Sequence, residues 1–319
     1  MPVPLQVGIS PDVNGASVQT LATAIVQTVA YVDVFDYPLL PAEVHRYLVG
    51  RPAPLEDVEK LLSNGALVPH HLERYEEYVT LPGRRQIVET RRLREAHARR
   101  LWPLARHYGA LMAQLPFVRM VAVTGSLAVN NAEPGADIDY LIVTANGRLW
   151  LSRAFVILIV RLAATRGIRL CPNYLLAERA LVFPEQTLYA AHELAQMVPL
   201  SGYDVYRRIR RLNDWVNEWL PNATNAPGLP AMPADARGPS RLQRLLERAL
   251  ESRLGQCLEQ WEMERKLARF SRQAIKGAPG AGTMEAQFTA DWCKGHFDGH
   301  ARQIMNAYGE RVQALGVEP

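Results

Sequence analysis

The chain has 319 residues, of which 48% are hydrophobic and 21% are charged, and its formal net charge is +4. Such a composition is typical of a globular protein and leaves room for two or three small cores. The three cysteines, Cys171, Cys257 and Cys293, are widely spaced and form no CxxC pair. This spacing argues against a disulfide framework or a zinc knuckle and favours a reducing cytoplasm.

The start of the chain lacks the basic residues and the long apolar run of a signal peptide, so we expect a cytoplasmic protein. The most apolar stretch, residues 149–164, is interrupted by Arg153 and Arg161. It is too short and too charged to span a bilayer. We therefore predict a buried helix at this position and no membrane association.

Residues 1–83 are predicted to form the first domain. A helix is expected over residues 18–34, a second begins near Pro41, and a third ends at Asn64-Gly65. Alternating residues around 73–76 then indicate a β-hairpin, so the order resembles a winged helix. The third helix carries Glu56, Asp57 and Glu59, which phosphates would repel, so DNA binding is possible but a structural or protein-contact role is favoured.

An arginine-rich helix is predicted over residues 84–115 and opens a second domain that extends to residue 200. Its arginines could hold a triphosphate, RNA or an acidic partner, or they could be the solvated face of an amphipathic helix. Residues 201–319 are predicted to be a helical C-terminal region, with a linker rich in Pro, Ala and Gly at about 221–240. The fold class is therefore α+β, with a small mixed-sheet core and flanking helices.

The motif that indicates chemistry lies in the second domain. An apolar strand at 118–123 runs into Thr124-Gly125-Ser126, where a helix should begin, and a second strand is predicted at 137–143. Asp137 and Asp139 share one face of that strand because side chains alternate. Two neighbouring carboxylates repel each other unless a cation joins them, and such oxygen ligands favour Mg²⁺ or Mn²⁺.

Gly125-Ser126, ten residues, and then Asp137-Ile138-Asp139 resemble the signature of the DNA polymerase β-like nucleotidyltransferases. The resemblance implies that Gly125 and Ser126 contact a nucleoside triphosphate and that Asp137 and Asp139 ligate the catalytic metals. It predicts transfer of a nucleoside monophosphate (NMP) from a nucleoside triphosphate (NTP), with pyrophosphate released. The nucleobase is not indicated. The acceptor stays open among a small molecule, a protein and RNA.

The sequence departs from the family pattern on the later strand, predicted at 169–176, where a third carboxylate is usual. Asn173 takes that position, and an amide cannot act as a base near neutral pH. Three interpretations stay open. In the first, Asn173 supports metal binding and the acceptor is activated by some other means. In the second, Glu178 or Glu193 takes the role of the third carboxylate. In the third, the protein is a degenerate NTP-binding regulator that acts through its winged helix.

Several other residues are weaker candidates. Arg148 follows the second strand and is predicted either to reach the triphosphate or to begin a surface helix. His296 and His300 have helical spacing for a metal, although the neighbouring glycines argue against a site. Cys171 is interpreted as a small buried residue. Three tryptophans are interpreted as packing residues, namely Trp215, Trp219 and Trp261.

Overall fold

A computed structural model describes residues 20–65, 67–224, 240–275, 286–295 and 299–317. Within them it has twelve helices, one six-stranded sheet and one two-stranded sheet, which confirms a mixed α+β protein. No helix in these described ranges has the length and apolar character that crossing a membrane requires. Most of the predicted linker, residues 225–239, lies outside the described residues.

The N-terminal part contains three helices and a hairpin, in the predicted order. They are α1 (Leu21–Asp33), α2 (Pro41–Arg46), α3 (Leu55–Ser63), β1 (Glu73–Tyr75) and β2 (Tyr78–Thr80). The hydroxyl of Thr20 caps α1 by accepting a hydrogen bond from the amide of Thr23 at 3.1 Å. Pro41 occupies the first turn of α2, where its missing amide hydrogen costs no hydrogen bond.

The main sheet is mixed. Its strands are β3 (Val118–Val123), β4 (Ile138–Thr144), β5 (Leu170–Ala177), β6 (Val198–Ser201), β7 (Ala286–Phe288) and β8 (Trp292–Gly295), and their order in space is β6-β3-β4-β5-β8-β7. Strands β4 and β5 are parallel, and the other neighbours are antiparallel. A parallel pair needs a crossover, which the helix between β4 and β5 provides.

Nine helices complete the described part of the chain. They are α4 (Ile87–Ala113), α5 (Gly125–Ala128), α6 (Leu149–Ala164), α7 (Leu188–Gln196), α8 (Tyr203–Leu212), α9 (Val216–Trp219), α10 (Arg241–Leu250), α11 (Arg253–Ile275) and α12 (His300–Ala314). The helix predicted at 149–164 is α6, but it is not fully buried, because Leu158 and Leu162 are 56% and 52% exposed. The predicted arginine-rich helix is α4.

Both faces of the main sheet are covered, because the side chains of β4 alternate between two cores. Leu141 and Val143 belong to a core that also includes residues of α1, α7 and α12. Tyr140 and Ile142 belong to a second core, with residues of α4 and α6. Asp139 lies on the same face as Leu141 by alternation, so it faces the N-terminal helices.

The expectation of a purely helical C-terminal region is wrong, because β7 and β8 form a hairpin that extends the main sheet beside β5. Cys293 is buried in the second core, while Trp292 packs against the first. The interpretation of Trp261 as a packing residue is also wrong, since it is 58% exposed. Trp215 is buried and Trp219 packs against the first core, as predicted.

Two arginines of α4 are engaged within the molecule, whereas Arg99 and Arg100 are exposed. Arg91 is buried and bonds the carboxylates of Glu43 and Glu95. Arg94 donates to the carbonyl oxygen of Phe35 at 2.8 Å and also pairs with Glu133. These contacts join α4 to the N-terminal part and to the loop after α5.

Candidate functional site

The turn between β3 and α5 lies directly against Asp139. The amide of Thr124 donates to the backbone oxygen of Asp139 at 3.0 Å. Gly125 has φ +63, and a Cβ placed on it would lie 3.2 Å from Cγ of Asp139 and would clash with Oδ2. Only glycine meets both demands, since it tolerates positive φ and leaves room for the carboxylate.

Asp137, Asp139 and Cys171 form a compact cluster whose ligand atoms all lie within 4.8 Å of one another. Cys171 reaches the carboxylates because β4 and β5 are parallel neighbours with Asp139 opposite Cys171. The sequence pattern indicates only a small buried residue at Cys171. Its position beside Asp139 would have followed from the parallel register, which the sequence pattern does not reveal.

Burial and neighbouring acids weaken the charge of this cluster. Burial raises the pKa of Asp139 to about 7, and the charges of Asp137 and Glu193 add to the effect. Burial, together with the same two aspartates, raises the pKa of the Cys171 thiol well above its ordinary value. The thiol therefore stays protonated near neutral pH, and the cluster offers a cation two carboxylates rather than a thiolate.

Asn173 reaches the same region through an irregularity in β5. Tyr140 pairs with Pro172 while Leu141 pairs with Tyr174, so Asn173 is the extra residue of a bulge. Its side chain is buried and lines a cavity of about 270 Å³. Bulges commonly redirect one side chain at the end of a strand.

The cavity brings together most of the predicted site. Gly125, Ser126, Asp139 and Asn173 line its sheet side. Asp137 does not line it but contributes to the carboxylate cluster behind Asp139. The hydroxyl of Ser126 makes no hydrogen bond to any residue that the structure describes.

Helix α7 supplies the opposite wall, with Tyr189, His192 and Glu193. Burial raises the pKa of Glu193 to about 7, although the charge of Lys294 partly lowers it. Of the two acids proposed to replace the third carboxylate, only Glu193 is at the cavity. Glu178 follows β5 at its other end and lies 3.9 Å from Arg119.

Arg148 is also away from the cavity. It precedes α6, beyond the end of β4 that is opposite Asp139, and its guanidinium lies 5.3 Å from the ring centroid of Phe117. The structure therefore does not bring Arg148 to the predicted triphosphate site. The short distance along the chain was misleading, because the whole length of β4 separates Arg148 from Asp139.

The N-terminal part closes the cavity, which sequence reasoning did not anticipate. Tyr31, Phe35, Tyr37 and Tyr47 line it from the end of α1 and the region of α2. Tyr37 donates a hydrogen bond to the carbonyl oxygen of Val129 at 2.9 Å, which anchors this wall to the loop after α5. The alternation and helix patterns of residues 31–47 indicate apolar faces but not which surface they meet.

Of the two histidines considered as a metal pair, only His300 lies within the described residues. His296 lies outside the described residues. His300, at the start of α12, lines the cavity and packs edge-on against Tyr189 at a centroid distance of 6.0 Å.

Comparisons with protein-family models, curated proteins and solved structures gave no match.

Proposed function

We propose that this chain is a metal-dependent nucleotidyltransferase that transfers NMP from an NTP to an acceptor and releases pyrophosphate. One observation carries the proposal. The Gly125 turn packs directly on the Asp139 carboxylate, with Asp137 beside it and the Ser126 hydroxyl at the same cavity.

The carboxylate cluster fits a hard divalent cation such as Mg²⁺ or Mn²⁺. Asp137 and Asp139 would hold it, because their oxygens are close together and their mutual repulsion is relieved by a positive charge. When bound, the metal would neutralise developing charge on the phosphate oxygens. Mg²⁺ and Mn²⁺ prefer carboxylate oxygens to sulfur, so the Cys171 thiol would be a neighbour rather than a ligand.

The chain's own residues would orient the two substrates. Gly125 allows a phosphate to approach the backbone, and Ser126 offers a hydroxyl to a phosphate oxygen. Asn173 can orient a ligand through its amide but cannot remove a proton. In the reaction a bond forms from the acceptor oxygen to the α-phosphorus, the bond from that phosphorus to pyrophosphate breaks, and the acceptor oxygen gives up its proton to water.

The test is incubation of the purified chain with each α-labelled NTP and Mg²⁺ or Mn²⁺, with release of pyrophosphate and transfer of label as readouts. The double variant Asp137→Asn/Asp139→Asn keeps the side-chain shapes but should lose all transfer. Cys171→Ser should retain it, since a hard cation does not need the thiol. Transfer that survives in the double variant would contradict the proposal.

A second candidate is an NTP-binding regulator without catalysis. It is favoured by the presence of Asn173 in place of a third carboxylate and by a cavity lining, among the described residues, that has no lysine or arginine for a triphosphate. NTP binding that requires Mg²⁺, Asp137 and Asp139, with no pyrophosphate released under any condition, would support this candidate over the enzyme.

A further inference from the structure

The charge of the cavity selects the ligand that can enter it. Asp139 and Glu193 both line it, whereas none of its described lining residues is a lysine or an arginine. His192 also lines it, but burial lowers the pKa of that imidazole to about 3, so it adds no positive charge near neutral pH. The described walls are therefore acidic and would attract a cation.

Glu193 has no close partner among the described residues. Its carboxylate makes no hydrogen bond or ion pair with them. The Nζ of Lys294 affects Glu193 only at longer range and lies 3.1 Å from Glu185. A half-buried carboxylate without a partner leaves its desolvation uncompensated, and a cationic ligand would supply the missing charge.

Aromatic rings line the same cavity as this carboxylate. Tyr31, Phe35, Tyr37, Tyr47 and Tyr189 line the cavity together with Glu193. Glu193 acts electrostatically on both Tyr31 and Tyr189, which shows that it is near these two rings. Aromatic rings around a carboxylate are the surroundings that bind organic ammonium groups, through cation–π attraction and charge pairing.

Other ligands fit this part of the cavity less well. A triphosphate would be held by the metal at Asp137 and Asp139 and brings no positive charge to Glu193, and a nucleobase is uncharged near pH 7 and would leave Glu193 unpaired. A metal ion needs several oxygen ligands close together, and Glu193 does not belong to the Asp137, Asp139 and Cys171 cluster. An ammonium group needs only one carboxylate and aromatic walls.

We propose that the cavity binds an organic ammonium group, with Glu193 as its counter-charge and the tyrosines that line the cavity, Tyr31 and Tyr189 above all, as its walls. The acceptor of the transfer is then an amine-bearing, hydroxylated small molecule. That second statement rests on the proposed function, whereas the binding of the ammonium group does not depend on it.

The test compares choline with 3,3-dimethylbutan-1-ol, which has the same shape and hydroxyl but no charge. Both are titrated into the whole chain in EDTA without nucleotide, and Kd is measured by ligand-observed NMR. We expect choline to bind about tenfold more tightly than the alcohol. Glu193→Gln should abolish this preference, and Glu178→Gln, the same substitution at the other end of β5, should preserve it. Equal binding of the two ligands, or a preference that persists in Glu193→Gln, would overturn the proposal.

Two further variants keep the result interpretable. Tyr189→Leu retains the carboxylate but removes one aromatic wall, so it should weaken choline severalfold and the neutral alcohol much less. Asp137→Asn should leave the choline preference intact while it removes nucleotidyl transfer. A choline preference without transfer in the wild type would therefore sink the proposed function alone, and transfer without the preference would sink the ammonium site alone.

Discussion

Gly125 is the residue on which the local geometry of the site depends most directly. Its backbone is left-handed at φ +63, and Asp139 occupies the space that a side chain would need. Gly135 offers a close comparison within the same motif. It has φ +80, but a Cβ there would meet no atom within 4 Å. Substitutions at the two glycines therefore distinguish the cost of backbone strain, which both positions share, from the steric conflict with the Asp139 carboxylate, which only Gly125 has.

We expect Gly135→Ala to cost about 1 kcal/mol of unfolding free energy, because the left-handed backbone conformation is the only unfavourable feature for alanine at this position. Gly125→Ala should cost about 3 kcal/mol, since it also displaces Asp139, and it should weaken Mn²⁺ binding. Urea unfolding and metal titration of both variants measure these effects. Equal costs for the two substitutions would show that Gly125 and Asp139 are not in close contact.

His192 makes stability depend on pH. The ring stacks on Tyr31 at a centroid distance of 4.1 Å and lies 5.4 Å from the ring of Tyr47, while Nδ1 is 3.1 Å from the side-chain nitrogen of Gln196. Burial lowers the pKa of His192 from 6.5 to about 3. The unfolded chain therefore binds the proton first, so stability is lost as pH falls below 6.5.

We expect the wild type to lose about 2 kcal/mol relative to His192→Phe between pH 7.5 and pH 5. Asp139 and Glu193 have raised pKa values and give the opposite slope in both proteins, so the difference between the two proteins isolates the histidine. Urea unfolding at several pH values provides the measurement. A difference that stays constant with pH would mean that folding leaves the pKa of the imidazole unchanged.

The arginines of helix α4 divide into buried and exposed side chains. Arg91 has a side chain only 4% exposed, and its guanidinium lies 4.4 Å from the Tyr37 ring centroid and 4.9 Å from that of Tyr78. Arg92, next to it in sequence, has a side chain 42% exposed and pairs with Glu76. Adjacent residues of one helix thus point to different surroundings.

Arg91→Met should cost about 3 kcal/mol of unfolding free energy, because it leaves Glu43 and Glu95 without their cation and loosens the Tyr37 wall. Arg92→Met should cause no measurable loss, since exposed ion pairs contribute little. Chemical denaturation of the two variants makes the comparison. A similar cost for both would indicate that Arg91 is no more important to packing than an exposed arginine.

Local sequence patterns predicted where individual helices and strands lie, but they did not predict which elements pack against one another. The Gly125-Ser126 turn, the strand that carries Asp139 and the helix α4 follow from β-branched runs, turn residues and helical spacing. The hairpin β7–β8 was missed because its strands are too short to give a clear local pattern and are stabilised by pairing of β8 with β5. Cys171 reaches the two aspartates through strand register, and Glu193 and Tyr31 reach the cavity through helix packing. No local pattern encodes either.

At the scale of the whole molecule, the cavity depends on the N-terminal helices staying docked on the sheet. One buried carboxylate connects the first and last described helices. Asp33 of α1 accepts from Nε of Arg84 at 2.9 Å and from Nε of Arg311, on α12, at 2.8 Å. Its side chain is 5% exposed, and both arginines are 29% exposed. Asp36 pairs with Arg84 as well, but it is 46% exposed and does not reach α12.

We expect Asp33→Ala to reduce the unfolding free energy by about 2 kcal/mol, less than for a fully buried pair because water still reaches both arginines. Asp36→Ala should change it by no more than about 0.5 kcal/mol. Because α1 carries Tyr31 and α12 begins at His300, both beside the cavity, Asp33→Ala should also weaken choline binding, whereas Asp36→Ala should not. Urea unfolding and the choline titration test these expectations together. Loss of stability with unchanged choline binding would show that the cavity holds its shape without the link between α1 and α12.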